Sequence, residues 1–560
     1  MVPTARIEPA TSFLPMMSSP LNNPWYSYII ALKNVSFIMG KSDYKVLFLF
    51  PNEWHVSLVP SGIAILSSLL KRENFSVDLF DTSLYPIKGL DHDTIREINL
   101  SVREVKNTKN KVKLKHGDKF KDFYEKVASF QPDIIAAHVT DSYVTHTINL
   151  LKSVKQFNFL TVWGGAFATY APEVAINYKE VDVLCIGEGE NAFINMCKRL
   201  REKKDILDIP GLWIKKEGKI TKNLLGKLVD IKHLPPSDFD IFEEKRLHVM
   251  MRGRMFKMLP IETHRGCPYK CTFCCSPTSV EMYKNKNSGP QQIFYRMFSP
   301  QKIKEDLTYY VKKYNPEYIS FIADTFLSIS KKELEEFCDI YSNFKLPFLI
   351  QSRPETLSDY KIKKLKEVGL ARFAVGIEHG NEKYRANMLK RHYTNENLIK
   401  SLKILSDNKI SFSVNTIIGF PDETYDLAMD TVELCRQIEG WDDCKTSIFQ
   451  PYYGSPLREY CIKKGYISKD LLCTDYTDES LMTMPMFSKE EISGLYRTFV
   501  LYLRLPKDRW SEIKIAESLI PEGDKMFEKL RQEVLVEMDK MSDLMRVSDT
   551  PLAELKQARV

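Results

Sequence analysis

Cys267, Cys271 and Cys274 fall in the stretch Thr263-His-Arg-Gly-Cys-Pro-Tyr-Lys-Cys-Thr-Phe-Cys274, a C-x3-C-x2-C triplet directly after a short apolar run. Thiolates are the ligands of iron–sulfur clusters, and a four-iron cluster held by protein alone needs four of them. Three on one loop can hold three irons of a cubane and leave the fourth open, where a substrate or cofactor can bind and receive an electron. Structural zinc is the competing reading, followed by a disulfide and by ordinary core cysteines. Zinc favours four closed ligands in short paired spacings, and His264 lies close by. Adjacent residues rarely reach one metal, so Cys275 is expected to face away. Gly266 and Pro268 suit a tight loop around the first ligand, and Phe273 sets an aromatic face beside the third. Spacing alone leaves both iron–sulfur and zinc open.

The elements that must carry this loop read as a βα series over residues 258–456. The loop follows the first strand, at Leu259. Later strands are expected at Tyr318–Ala323, Pro347–Gln351, Arg372–Ile377, Ser411–Ile418 and Thr446–Gln450. Six strands separated by helical stretches suit an open, partial (β/α)6 barrel of the TIM type, with chemistry at the strand carboxyl ends. Residues 44–202 read as a separate α/β domain, Rossmann-like, with strands at Tyr44–Phe50, Phe75–Phe80, Asp133–His138, Phe159–Trp163 and Val181–Ile186. Short apolar strands between helices imply a parallel sheet covered on both faces, with ligands at the strand carboxyl ends. Gly164 and Gly165 follow the fourth strand there, and Gly187-Glu188-Gly189-Glu190 the fifth. A Lys-rich insertion from Arg103 to Lys126 reads as a solvated helical face.

Residues 203–257 are a connector with hairpin character around Glu217-Gly218, and residues 457–560 are mostly amphipathic helix, as at Lys489–Leu503 and Gly523–Met541. Residues 1–43 read as a flexible leader. At 560 residues the chain exceeds one ordinary core, and 44% hydrophobic with 27% charged residues is a globular composition. The excess of 80 basic over 73 acidic residues is too small to argue for nucleic acid. No apolar run is long enough to span a membrane, since Tyr26–Gly40 is broken by Lys33 and Asn34. Eleven cysteines in a chain this size do not make a secreted disulfide scaffold, and a labile cluster needs a reducing compartment, which points to the cytoplasm.

Each expected barrel strand ends in a polar or glycine-bearing loop: Ala323-Asp-Thr325, Gln351-Ser-Arg-Pro-Glu355, Gly376-Ile-Glu-His-Gly-Asn-Glu382 and Ile418-Gly-Phe-Pro-Asp-Glu-Thr424. Singly these are weak, and their recurrence after the cysteine loop is the stronger sign. In this order they resemble the radical S-adenosylmethionine (SAM) enzymes. The resemblance implies a [4Fe-4S] cluster on Cys267, Cys271 and Cys274, with SAM chelating the fourth iron and cleaved there to a 5′-deoxyadenosyl radical. It implies Phe273 near the adenine, Asp324 on the SAM amino group, Arg353 and Glu378 near its carboxylate and ribose, and the turn at Gly419 along the adenine. The plainer reading of Arg353 and Glu378 is a buried ion pair bracing the barrel.

The segments Gly164-Gly-Ala-Phe-Ala-Thr-Tyr-Ala-Pro-Glu173 and Gly187-Glu-Gly-Glu190 are similar to the cobalamin-binding domain that precedes the barrel in a large branch of this family. On that resemblance Gly164, Gly165, Gly187, Glu188 and Gly189 border the cobalamin. Many such domains carry Asp-x-His-x-x-Gly after the first strand, whereas this chain has Glu53-Trp-His-Val-Ser-Leu58, so His55 is a weak candidate for a cobalt ligand. Loss of cobalamin, leaving a scaffold, is the alternative. Only Cys185 and Cys197 precede the triplet, which sets aside the methylthiotransferase branch with its second three-cysteine cluster. Cys435, Cys444, Cys461 and Cys473 lack the tight pairing of an auxiliary-cluster domain. The implied activity is methyl transfer from methylcobalamin to an unactivated carbon, supplied by an electron donor such as flavodoxin or ferredoxin. Its rivals are a non-methylating radical reaction with the same cofactors and a cobalamin- or redox-sensing protein. Nothing in the sequence separates a small-molecule, lipid or peptide substrate.

Overall fold

A computed structural model describes residues 44–546, apart from 54–57, 88, 103–112, 252–253, 286–288, 290 and 478. The five apolar runs of the first domain are strands: β1 (Lys45–Phe50), β2 (Ser76–Asp81), β3 (Ile134–His138), β4 (Leu160–Gly164) and β5 (Val183–Cys185). They pair in parallel in the order β2-β1-β3-β4-β5, a doubly wound sheet whose order reverses between β1 and β3. Alternation along β1 explains why the sheet needs helices on both faces. Val46 and Phe48 join one core with Ile63 and Leu70 of the helix Ser61–Arg72, while Leu47 and Leu49 join another with Phe123 and Val127 of the helix Lys119–Phe130. The hairpin expected at Glu217-Gly218 forms between β6 (Leu212–Lys216) and β7 (Lys219–Lys222) and adds antiparallel to the β5 edge.

The second sheet starts with β8 (His248–Met251), antiparallel to β9 (Arg254–Glu262), so it begins inside the stretch read as a connector. A two-stranded clip follows, β10 (His264–Arg265) with β11 (Arg296–Met297). Then come β12 (Tyr318–Ile322), β13 (Phe348–Ser352), β14 (Leu370–Glu378), β15 (Ser411–Ile418) and β16 (Asp443–Ile448). From β9 through β12 to β16 all six main strands run parallel and in chain order, with β16 and β8 left as unpaired edges. This is the open, partial barrel expected. Its last strand begins three residues before Thr446, because Arg372 of β14 draws Asp443 into the sheet with a 2.6 Å ion pair and Cys444 is buried. No apolar run announces that start.

One apolar core runs from the first sheet into the barrel, joining Val46 and Phe193 to Leu259, Ile319 and Phe412. The C-terminal region closes the remaining side. Its helix Lys489–Arg504 carries a capping box between Ser488 and Glu491 and buries Leu495, Phe499 and Val500. The helix Pro521–Arg546 ends the described chain. No helix among the described residues is long and apolar enough to cross a membrane.

Candidate cluster loop and cofactor cavity

The cysteine loop is set by its two flanks. Thr263 N–H donates to Ile322 O at 3.1 Å and β10 pairs with β11, so the chain leaves β9 in a fixed direction. Beyond the loop the helix Ser276–Lys284 starts at once, and Ser276 N–H points at Cys274 Sγ, 3.4 Å away. Cys267 and Cys271 are buried and Cys274 half-buried. Cys267 Sγ lies 3.5 Å from Thr325 Oγ1 at the end of β12, and Arg353 at the end of β13 donates to Cys271 Sγ at 3.0 Å. Cys275 turns away, its thiol donating to Tyr453 O at 3.3 Å. Burial pushes the thiol of Cys274 up to about 11 and raises that of Cys267, so assembly of a cluster there must release their protons. Among the described residues no three His, Cys, Asp or Glu side chains converge on a single ion. A cubane spreads its ligands over separate corners, and three thiols with an open fourth position suit it better than closed tetrahedral zinc.

Around the loop stand the residues expected at the strand ends. Asp324 is 3.5 Å from Ser276 Oγ, and burial raises its carboxyl above the ordinary range. Arg353 stacks on Tyr269, 3.9 Å from the ring centroid, and pairs with Glu355 at 2.5 Å. Glu378 pairs instead with Arg391 at 3.1 Å, so the Arg353–Glu378 ion pair does not form. Burial lifts the Glu378 carboxyl despite Arg391 and Arg353 nearby. Phe273 meets Phe420 edge-on at 5.9 Å, which brings the cysteine loop against the turn at Gly419, and Arg391 lies 5.3 Å from the Phe273 ring. Arg391 is the residue that sequence reasoning missed here. It lies beyond any strand end, and only its spatial meeting with Glu378 and Gly376 O (2.6 Å) reveals it.

The glycines of the first domain face this loop across a cavity of about 380 Å³. Gly164, Gly165, Gly187, Glu188 and Gly189 line one wall, and Glu262, Arg265, Gly266 and Asp324 the other. Gly165 is held at φ +93, and a Cβ there would lie 2.9 Å from Val139 O, so no other residue fits without strain. At Gly187 (φ +76) the space a Cβ would take belongs to Tyr283 Oη, 2.3 Å away, so this glycine admits the helix that follows the cysteine loop. Glu188 is engaged too. It accepts from Val229 N–H at 3.0 Å and pairs with Arg265 at 3.3 Å and with Arg296. Arg265 also pairs with Glu190 at 2.6 Å, so the Gly-Glu-Gly-Glu segment is tied to the residue two before Cys267.

His138, at the carboxyl end of β3, lines the same cavity, and its Nδ1 is buried with no partner. Burial lowers its pKa, keeping the ring neutral. An orphaned imidazole nitrogen and a side-chain-free glycine at the carboxyl ends of adjacent strands fit a bound macrocycle with its nucleotide tail. His55 lies outside the described residues.

Comparison with known proteins agrees with this geometry. The family model for the B12 binding domain matches residues 54–196, and that of the radical SAM superfamily matches residues 261–435. The chain is 25% identical over 394 residues to an uncharacterized methyltransferase, PH0819, of Pyrococcus horikoshii, covering 69% of this chain and 82% of that one. It is 25% identical over 325 residues to the anaerobic magnesium-protoporphyrin IX monomethyl ester cyclase of Rubrivivax gelatinosus, covering 56% of this chain and 55% of that one. Among solved structures, the cobalamin-dependent SAM radical enzyme OxsB superposes with a TM-score of 0.59 at 15% identity, over 91% of this chain and 76% of that one. The radical SAM methyltransferase TsrM of Kitasatospora setae gives 0.58 at 13% identity, over 89% and 99%. The chain thus carries a B12 binding domain followed by a radical SAM domain, and it is an enzyme of the radical SAM kind. Among such enzymes, the B12-binding domain ahead of the barrel places the chain in the cobalamin-dependent branch, with a [4Fe-4S] cluster, SAM and cobalamin as cofactors.

Proposed function

We propose that this enzyme moves a methyl group onto an unactivated carbon of its substrate. When bound, the cluster with SAM supplies a carbon-centred radical and cobalamin supplies the methyl group. The observation that carries the reading is the shared cavity, in which the carboxyl ends of the two parallel sheets face each other with Gly165 on one side and Gly266 and Asp324 on the other. The protein's own part is positioning. Cys267, Cys271 and Cys274 hold the cluster, and Arg353 places positive charge on one of its sulfurs. Asp324 takes the SAM amino group, Arg353 and Glu378 stand by its carboxylate and ribose, and Phe273 with Gly419 flanks the adenine. Gly164, Gly165, Gly187, Glu188 and Gly189 border the cobalamin, while the apolar core joining the two sheets excludes water from the space between. Such chemistry calls for a low-potential donor, such as flavodoxin or ferredoxin, and for a reducing compartment such as the cytoplasm.

The test is anaerobic. Protein reconstituted with iron, sulfide and cobalamin, given SAM, reductant and substrate, should yield both 5′-deoxyadenosine and S-adenosylhomocysteine. Failure to form 5′-deoxyadenosine with cluster and cobalamin loaded would falsify the radical reading. Its formation without S-adenosylhomocysteine would replace methyl transfer with ring formation, oxidation or rearrangement.

A further inference from the structure

A second cavity, of about 730 Å³, fills the lumen of the half-barrel. Inward-facing side chains of β12 to β16 form its wall, and Val249–Met251 of β8 with Asp93 and Arg96 of the helix His92–Ile98 border it. Toward the carboxyl ends of the strands it reaches Glu378, and it shares Ile322 with the cofactor cavity. A molecule lodged there extends toward the space between the cluster loop and the first sheet.

The charges lining this lumen are equal in number, Asp93, Glu378 and Asp443 against Arg96, Arg372 and Lys445, yet among the described residues Lys445 stands in no ion pair. In the register of β15 and β16, Asn415 lies opposite Lys445 and Ile417 opposite Ser447, and Asn415, Lys445 and Ser447 all line the cavity. Arg372 already holds both nearby carboxylates, Asp442 and Asp443, at 2.6 Å each. Glu378 belongs to Arg391. Among the described residues no carboxylate stands within ion-pairing distance of Lys445, and Asn415 and Ser447, which carry donor groups, line the cavity beside it. A lysine that merely braced the barrel would have taken a carboxylate or carbonyl. Burial, together with Arg372 and Arg96, presses the Lys445 ammonium down to about 8, with Asp443 and Asp442 partly offsetting it. An ammonium in such a place is costly until an anion joins it. The rest of the wall is mixed, with Met258, Leu349 and Ile417 apolar and Ser320, Gln351 and Tyr476 polar.

We propose that the lumen is the substrate pocket and that it seats the substrate by an anionic group, a carboxylate or a phosphate, which accepts from Lys445 Nζ, Asn415 Nδ2 and the Ser447 hydroxyl. This deepens the methyl-transfer reading and rests on it. The anion anchors one end, Met258, Leu349 and Ile417 pack against the body, and the carbon to be modified lies toward Ile322.

Cluster-reconstituted full-length protein should be tested with inorganic phosphate, hexanoate and the neutral hexanamide. Acetylation of Lys445 by acetic anhydride, read on its peptide by mass spectrometry, should slow with one or both anions and not with hexanamide; the anion that protects identifies the head group. By calorimetry the protecting anion should bind about tenfold or more weakly to Lys445→Met, the loss expected for one charged hydrogen bond. Its affinity for the unaltered protein should fall as pH rises through about 8, where the ammonium is lost beside Arg372, Arg96, Asp442 and Asp443. Protection by neither anion, equal protection by hexanamide, or unchanged affinity in the variant overturns the inference. The labelling uses the unaltered protein, so a variant that misfolds does not decide the matter. Unaltered protein that forms no 5′-deoxyadenosine removes the methyl-transfer reading, whereas protein that forms it while Lys445 ignores both anions removes only the lumen assignment.

Discussion

Arg353 puts a guanidinium 3.0 Å from Cys271 Sγ, and hydrogen bonds and charge at the sulfurs are among the levers that set a cluster's potential. Positive charge there favours the reduced, more negative cluster. Arg353→Gln should therefore lower the reduction potential in an EPR-monitored titration, and an unchanged potential would remove Arg353 from the cluster's surroundings. Cys271→Ala should abolish the brown iron–sulfur absorbance and SAM cleavage together, since no nearby thiol is free to replace it: Cys275 is committed to Tyr453 O. At this scale the sequence was most legible for the cysteines, because three thiols within eight positions of one loop state their geometry locally. Phe273 belongs to the same loop, and Arg353 and Asp324 could be placed beside it through strand-end position. Partners distant in sequence could not. That Glu378 meets Arg391 rather than Arg353 depends on how the chain returns after β14.

At the scale of elements, the five parallel strands of the first sheet and the six of the barrel were readable because buried parallel strands are continuous apolar runs. The exceptions have physical causes. The first residues of β16 are polar and enter the sheet on an ion pair with Arg372, and β8 joins it as a hairpin partner of β9, only four residues long and half-buried throughout. The turn after β4 carries its own prediction. Gly165→Ala forces a Cβ to within 2.9 Å of Val139 O at positive φ, which should cost about 1–3 kcal/mol and weaken cobalamin binding. A matched thermal midpoint and cobalamin affinity in the variant would show that the turn is not constrained. The clasp between the Gly187–Glu190 segment and the cysteine loop is a second test. Removing Arg265 leaves Glu190 buried and unpaired, so Arg265→Ala should destabilise by about 3–5 kcal/mol near neutrality. Burial already holds the Glu190 carboxyl above its ordinary value, so the folded state binds a proton more readily than the unfolded one. Its contribution to stability therefore falls as pH rises above 4.5, and the penalty of the variant should shrink as the pH is lowered. A penalty independent of pH in thermal denaturation would place the loss elsewhere.

For the molecule as a whole, the two sheets share one apolar core; the end of the barrel reaches the first domain through Tyr453 N–H on Asp141 (3.0 Å), and the C-terminal region through Arg531 on Ile98 O (2.9 Å). The order of the two domains was legible from their strand-end motifs, but their face-to-face arrangement was not, since it rests on Arg265, Arg296 and Tyr283, which belong to no motif. The same arrangement makes the central claim measurable. With the cluster reduced and cobalamin held in its paramagnetic cob(II)alamin state, the two spins should couple, broadening both EPR signals relative to either cofactor loaded alone. Two unperturbed, additive signals would contradict the claim that cobalamin stands opposite the cluster across one cavity.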